Sequence, residues 1–359
     1  TKAREKGAAM KIIGCDFHPS YQQVAWLDTE SGEVREATLA HENGEARRFY
    51  ESLRGPVRVG MEAVGNTLWF ERLRAGLGHE VWIGDAARIR SLVVRRQKTD
   101  RRDALHVLEL LTSDRFPRIW VPGPEQRDTR QLLFDRHKLV RLRARVKNEL
   151  QHLALNQGVR RKRQLWSTAG RQVLESLPLD GWTAQRRQDL LALLDQLHGR
   201  IGELDRAVEA EAARHPAAQL LQTHPGIGPV TGLAYVLTLG PWQRFRGAKA
   251  VASYLGLNPR EHSSGGRQKR GAIRKQGHPL LRSLLVEAAL SAVRGDAELR
   301  RPPAAGRLAQ RKHTARRRRV MVARKLAVRW YWMLRSNQPY APRPAVRMPG
   351  SPRHSVVAV

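Results

Sequence analysis

The 359-residue sequence contains one cysteine, Cys15, which excludes an internal disulfide and any cysteine-based zinc cage. No apolar run approaches the ~20 residues that span a bilayer. Acids are scarce: 33 Asp and Glu stand against 65 Lys and Arg, a formal net charge of +32. A field that positive favours a polyanion, and nucleic acid is the usual one. A basic membrane-surface role is the weaker reading, because the basic residues are spread over much of the chain. The opening "TKAREKGAAM" leads into a strand-like segment, not an apolar core with a cleavage site. No signal peptide is expected, Met10 is a candidate start, and a cytoplasmic, bacterial, nucleoid-associated protein is the expectation. Hydrophobic content is 41%, enough for real cores in two or three domains.

The apolar patterning is informative. "KIIGCDF" (11–17) is β-prone, "HPS" turns, and "YQQVAWLDTESGEV" alternates before a Ser-Gly turn, a hairpin signal. "ARRFYESLRG" reads as a helix, "VRVGMEA" as a buried strand, "TLWFERLRAGLG" as a helix ending in Gly, and "HEVWIGD" as another strand. Strands alternating with helices predict an α/β layer structure. From about 101 to 157 the pattern turns helical, with a long basic helix at 129–157. A second long helix at 184–213 carries Leu190, Leu193, Leu194, Leu197, Ile201, Leu204 and Val208 at roughly heptad spacing. The pair reads as a coiled-coil arm making a dimer contact, or as a helical hairpin packed on a core. Boundaries follow: 10–125, a helical linker at 126–216, a mainly helical 217–335, and a Pro-rich tail at 336–359, expected to be disordered.

Among so many cations the few acids stand out. Asp100 and Asp103 lie beside Arg95, Arg96, Lys98, Arg101 and Arg102. Three apart on a helix, they share a face. Local salt bridging explains them at about 0–1 kcal/mol per exposed pair; ligation of a divalent metal explains them differently. Asp16 ends one apolar strand and Glu62 another, although acids are depleted in strands. Turn initiation before His18 and Pro19 is the plain alternative for Asp16. Phosphodiester chemistry can use two divalent ions roughly 3.5–4 Å apart, and Mg²⁺ takes carboxylate oxygens. Nearby cations such as Lys98, Arg101 and Arg102 would grip the backbone, which carries affinity and not sequence information.

"GCDFH", "MEAVGN" and "KTDRRDA" resemble the signature segments of a RuvC-like, RNase H-fold nuclease domain with an Asp-Glu-Asp-Asp tetrad. The last resembles the DEDD insertion-sequence transposases, the bridge-RNA-guided recombinases. The resemblance implies that Asp16, Glu62, Asp100 and Asp103 bind Mg²⁺, with Mn²⁺ as a substitute.

In the second half, "HPGIGPVTG" sets Gly226 and Gly228 before a helix. Such a turn exposes backbone N–H groups that suit a phosphate, and it resembles a helix-hairpin-helix motif; an ordinary glycine turn is the alternative. "GLNPREHSSGGRQKRGAIRKQGHPLLRSLLVEAA" resembles the C-terminal domain of the same transposases, through Gly256, Leu257, Pro259, Arg260, Ser264, Gly265, Lys275, Gly277, Leu281 and Arg282. In that family the serine before the glycine bonds to the DNA phosphate, which places the nucleophile at Ser264, with Ser263 beside it. An alcohol needs activation by a base or metal; His262 is close in sequence, or simply loop. Taken alone, "SSGG" is also an ordinary flexible loop.

The resemblance further implies homodimers that assemble into a tetramer on donor and target DNA, and a structured guide RNA that selects both. Arg260, Lys275 and Arg282 join the candidate nucleic-acid contacts, as do the helix at 129–157 and the Arg-rich helix ending in Trp330, Tyr331 and Trp332. For those three aromatics, core packing is favoured over base stacking. Two rivals remain: a metal-only junction resolvase with Ser264 as mere loop, and a non-catalytic nucleic-acid-binding protein.

Overall fold

The run "KIIGCDF" does form strand β1 (Lys11–Phe17), and the chain returns after a tight turn as β2 (Tyr21–Asp28) and then β3 (Val34–Ala40). The computed structural model describes residues 9–93, 99–160, 164–261, 270–273, 276–300 and 314–342. It divides at Val121 and Pro122 into two compact units.

In the first unit, α1 (Glu45–Ser52) leads to β4 (Val57–Glu62), α2 (Leu68–Gly76) to β5 (Glu80–Gly84), and α3 (Ala86–Ser91) to α4 (Asp100–Thr112). The sheet runs β3-β2-β1-β4-β5: β1, β2 and β3 are antiparallel, while β4 is parallel to both β1 and β5. Alternation along β1 gives each face its residues. Ile13 and Cys15 point into a core with Val24, Tyr50, Val59, Met61 and Phe70. Ile12 packs on the opposite side, with Leu108 and Leu111 of α4. Full burial of such aliphatic side chains stabilises by about 1.5–3 kcal/mol each. Arg74 of α2 is fully buried, its guanidinium 3.8 Å from the Tyr50 ring centroid. Burial lowers its pKa to about 10, so it stays charged at neutral pH.

The second unit begins with α5 (Pro124–Asn156), then α6 (Thr168–Glu175) and α7 (Gly181–Arg214). Arg136 pairs with Asp205 and Arg186 with Glu149, so α5 and α7 run antiparallel. The heptad stripe of Leu194, Leu197 and Ile201 is buried against Val146 and Leu150 of the same chain. The remaining elements are α8 (Pro216–Gln222), α9 (Pro229–Leu239), α10 (Ala248–Tyr254), the ribbon β6 (Pro259–Glu261) and β7 (Arg270–Ile273), α11 (Pro279–Gly295), α12 (Ala297–Arg300) and α13 (Thr314–Ser336). Their shared core includes Leu233, Tyr235, Leu285, Leu326 and Trp330.

Of the segment 336–359 expected as a tail, residues 336–342 are described and 343–359 lie outside the described residues. Ser336 ends α13, and Tyr340 is tied back, its N–H donating to Thr223 Oγ1 at 2.9 Å and its hydroxyl to Asp296 Oδ2 at 2.9 Å. A prolines-and-polar composition could not reveal those two bonds. No described helix is long and apolar enough to cross a membrane.

Candidate functional site

Helix α4 begins at a threonine cap: Thr99 Oγ1 accepts the Arg102 N–H at 3.4 Å. Asp100 and Asp103 fall in the first turn, where the helix dipole favours negative charge. Local chemistry therefore explains why acids can stand there, and the sheet explains where they point. A Cβ at Gly14 would lie 2.3 Å from the Ala104 carbonyl oxygen and 2.4 Å from the Leu108 nitrogen, so only glycine admits α4 this close to β1. Gly60, on the neighbouring strand, faces the same helix through the Leu111 side chain, 2.7 Å from where a Cβ would stand. Two residues further along β1, on the same face, comes Asp16.

The consequence is convergence. His18 Nε2 lies 3.1 Å from Asp16 Oδ2 and 3.6 Å from Asp100 Oδ2. Asp16, His18 and Asp100 each offer a ligand atom within 4.8 Å of the others'. Tyr21 donates its hydroxyl to Asp100 Oδ2 at 2.6 Å, and its ring stacks on His18 at 4.6 Å. Burial pushes the Asp16 carboxyl above its usual range; His18 pulls it back, and the negative charges of Asp103 and Asp100 raise it further. Crowded carboxylates of this kind are relieved by a cation. Their hard oxygens suit Mg²⁺ or Mn²⁺, while the imidazole can serve as a further ligand or as a counter-charge.

Asp103 shares the first turn of α4 and acts on Asp16 electrostatically. Glu62 differs. It stands one residue past the Cys15–Met61 rung, so its backbone is beside that of Asp16. Its carboxylate, however, accepts from Arg90 Nη2 at 3.0 Å and is not among the three converging groups. A strand end gives a position but not a rotamer. Arg101 bonds to Glu36 of β3 through Nε and, at 3.0 Å, through Nη2. The local-bridging account of Asp100 and Asp103 therefore does not apply to that arginine. Arg102 spends its N–H on the cap. Lys98 lies outside the described residues.

In the second unit, Gly226 has φ +84°, and a Cβ there would meet Ala292 N at 2.6 Å. Its glycine serves close packing on α11, whereas a Cβ at Gly228, before α9, would meet open space. Arg260 is exposed on β6. Arg282 is half-buried in the first turn of α11, with Nη1 buried and lacking a hydrogen-bond partner among the described residues. Gly277 has φ +122°, and a Cβ there would lie 2.7 Å from the Tyr254 carbonyl oxygen and the Leu255 carbonyl carbon. His262, Ser263, Ser264, Gly265 and Lys275 lie outside the described residues.

The residues overlooked in sequence were His18, which was read only as part of a turn, Tyr21 and the two packing glycines. The signal for Tyr21 was the four-residue return from His18, whose N–H bonds the Tyr21 carbonyl at 2.9 Å. Gly14 and Gly60 were visible as glycines inside β-prone runs, which mark close backbone approach.

The family model for DEDD transposases of the IS110 type matches residues 13–157, and that of the transposase IS116/IS110/IS902 family matches residues 218–302. A probable family 20 transposase of Pseudomonas aeruginosa is 31% identical over 287 residues, covering 79% of this chain and 84% of the relative. The transposase for insertion sequence element IS1111A of Coxiella burnetii is 28% identical over 305 residues, covering 82% and 80%. A pilin gene-inverting protein of Moraxella bovis is 28% identical over 253 residues, covering 69% of each. With the acids converging in the first matched segment and the serine motif inside the second, the chain belongs to the IS110/IS116/IS902 transposase family and is a DNA transposase.

Proposed function

We propose that the first unit is an RNase H-like (RuvC-like) nuclease domain, in which Asp16, Glu62, Asp100 and Asp103 hold divalent cations, Mg²⁺ or Mn²⁺. The observation that carries this is the meeting of Asp16 and Asp100, 84 positions apart, at one imidazole. An antiparallel meander extended by two parallel strands, with acids at its strand ends, supports the same reading. Glu62 joins by leaving Arg90; its pair with a 70% exposed arginine side chain is worth little. The bound cation would stabilise charge on the phosphate oxygens.

Ser264 is the proposed nucleophile. Its hydroxyl oxygen bonds to phosphorus as it loses its proton, a phosphorus–oxygen bond of the DNA breaks, and the departing oxygen takes up a proton as a free hydroxyl. Reversal with a hydroxyl from a second duplex rejoins the strands and frees the serine. The family match over residues 218–302, which takes in Gly256, Arg260, Ser264 and Gly277, supports this placement. A structured guide RNA, dimers pairing into tetramers and a cytoplasmic, nucleoid-associated setting complete the reading; the charge of +32 suits neutralising both DNA and RNA.

The test is a denaturing gel of protein incubated with Mg²⁺, the RNA encoded beside the gene, and labelled element-end DNA. Label that stays with the protein and is lost in both Ser264→Ala and Asp16→Asn is the expected result. Nicked DNA without an adduct, surviving Ser264→Ala, would make the protein a metal-only resolvase.

A further inference from the structure

Three neighbouring aromatics near the end of α13 divide. Trp330 and Tyr331 are fully buried, whereas Trp332 is 48% exposed. The helical period explains the split, since successive side chains turn by about 100° and only part of the circumference faces the core. Trp332 stands on the face that also carries Met321, Arg324, Lys325 and Val328. Opposite that face runs the segment 338–341, held by the two hydrogen bonds of Tyr340. Between them lies a groove of about 710 Å³.

The far wall is firmly built. Asp296 is almost fully buried and accepts from the Tyr340 hydroxyl, from Arg329, and from the Glu298 and Leu299 N–H groups. The Tyr340 ring packs 4.4 Å from His224. On the near wall Trp332 is braced edge-on by Tyr331 at 5.5 Å, and the Arg335 guanidinium lies 5.2 Å from its ring centroid. Among the described residues no carboxylate pairs with Arg324 or Lys325, in contrast to Arg329. A half-exposed indole next to unneutralised cations, in a groove wide enough for a base, is a stacking platform beside a phosphate track.

We infer that the groove between α13 and the segment 338–341 binds single-stranded nucleic acid, a base stacking on Trp332 while Arg324 and Lys325 meet the flanking phosphates. Duplex fits poorly, because its bases are already stacked and paired. The proposal extends the recombinase reading without depending on metal or on Ser264.

The test is fluorescence anisotropy on the full chain in EDTA, with labelled 12-mer oligouridine, 12-mer oligothymidine and a DNA duplex. EDTA silences cleavage, so failure here is separable from failure of the metal or serine assignments. Trp332→Ala should weaken single-strand binding about 5- to 150-fold, the range for loss of one stacked base. It should leave duplex affinity and the salt slope unchanged, and Trp332→Phe should retain most of the affinity. Arg324→Ala with Lys325→Ala should lower the single-strand salt slope by about 1.4. A preference for uridine over thymidine strands in the wild type assigns the groove to RNA, and the reverse to DNA. Equal losses on duplex and single strand, or wild-type affinity in Trp332→Ala, would overturn the proposal. An unchanged Tm, expected for an exposed side chain, excludes misfolding as the cause.

Discussion

Tyr21 donates its hydroxyl to the Asp100 carboxylate at 2.6 Å across 79 positions of sequence, coupling the β1–β2 turn to the first turn of α4. The bond leaves Asp100 with one oriented carboxylate, and groups that orient ligands typically matter 10- to 100-fold for metal affinity or activity. Tyr21→Phe is accordingly expected to lower cation-dependent DNA cleavage by about 10-fold and to keep the fold. Asp100→Asn should abolish cleavage. Single-turnover rates titrated with Mn²⁺ measure both, and a Tyr21→Phe rate equal to wild type would remove Tyr21 from the site.

The Asp16 carboxyl is held high by burial and by the charges of Asp103 and Asp100, against the pull of His18. Asp16→Asn removes a repelled charge, so without divalent cation its Tm should equal or exceed that of the wild type. Mn²⁺ should raise the Tm of the wild type, and the same variant should lose that rise. Differential scanning calorimetry with and without cation checks both halves.

Gly14 faces the α4 backbone at distances that no Cβ tolerates. Gly14→Ala must push the helix outward, at a cost of about 1–3 kcal/mol or more for overpacking. Asp100 moves with the helix, so cleavage should fall along with stability. Gly65→Ala, where an added Cβ meets nothing within 4 Å, is the control and should stay within about 0.5 kcal/mol of wild type. Urea unfolding compares the two.

Burial, with Arg74 nearby, lowers the His79 pKa from its ordinary 6.5 to about 4. The folded state thus resists the proton that the unfolded chain accepts. Its contribution is fully present above about pH 6.5 and is lost as pH falls towards 4. His79→Gln should flatten the decline of Tm across that window and change little at pH 8. A wild-type slope in the variant would place the acid sensitivity elsewhere.

Asp296 is 3% exposed and neutralises Arg329 inside the second unit. Arg329 would keep its second carboxylate, Glu298 at 2.8 Å, so removing Asp296 instead strands the Tyr340 hydroxyl and the Glu298 and Leu299 N–H groups, at about 1–3 kcal/mol for a buried group left unsatisfied. Asp296→Ala should destabilise by that order and release Tyr340, which limited proteolysis after residue 336 would report.

Much of this protein was legible in its residues. The strands of the first unit follow from short β-prone runs closed by Gly, Pro and Ser turns. The two long helices follow from their apolar period, and the charge of +32 points to nucleic acid. Asp16 and Glu62 at strand ends and Asp100 and Asp103 on one helix face are positions that local pattern determines, because strand and helix periods are local properties. Tertiary structure decided which of them meet. Asp16 and Asp100 converge because Gly14 and Gly60 let α4 lie on the sheet, while the Glu62 side chain turns to Arg90. It also separated Trp332 from Trp330 and Tyr331, since a helix carries its own period but its phase is set by the core it packs against.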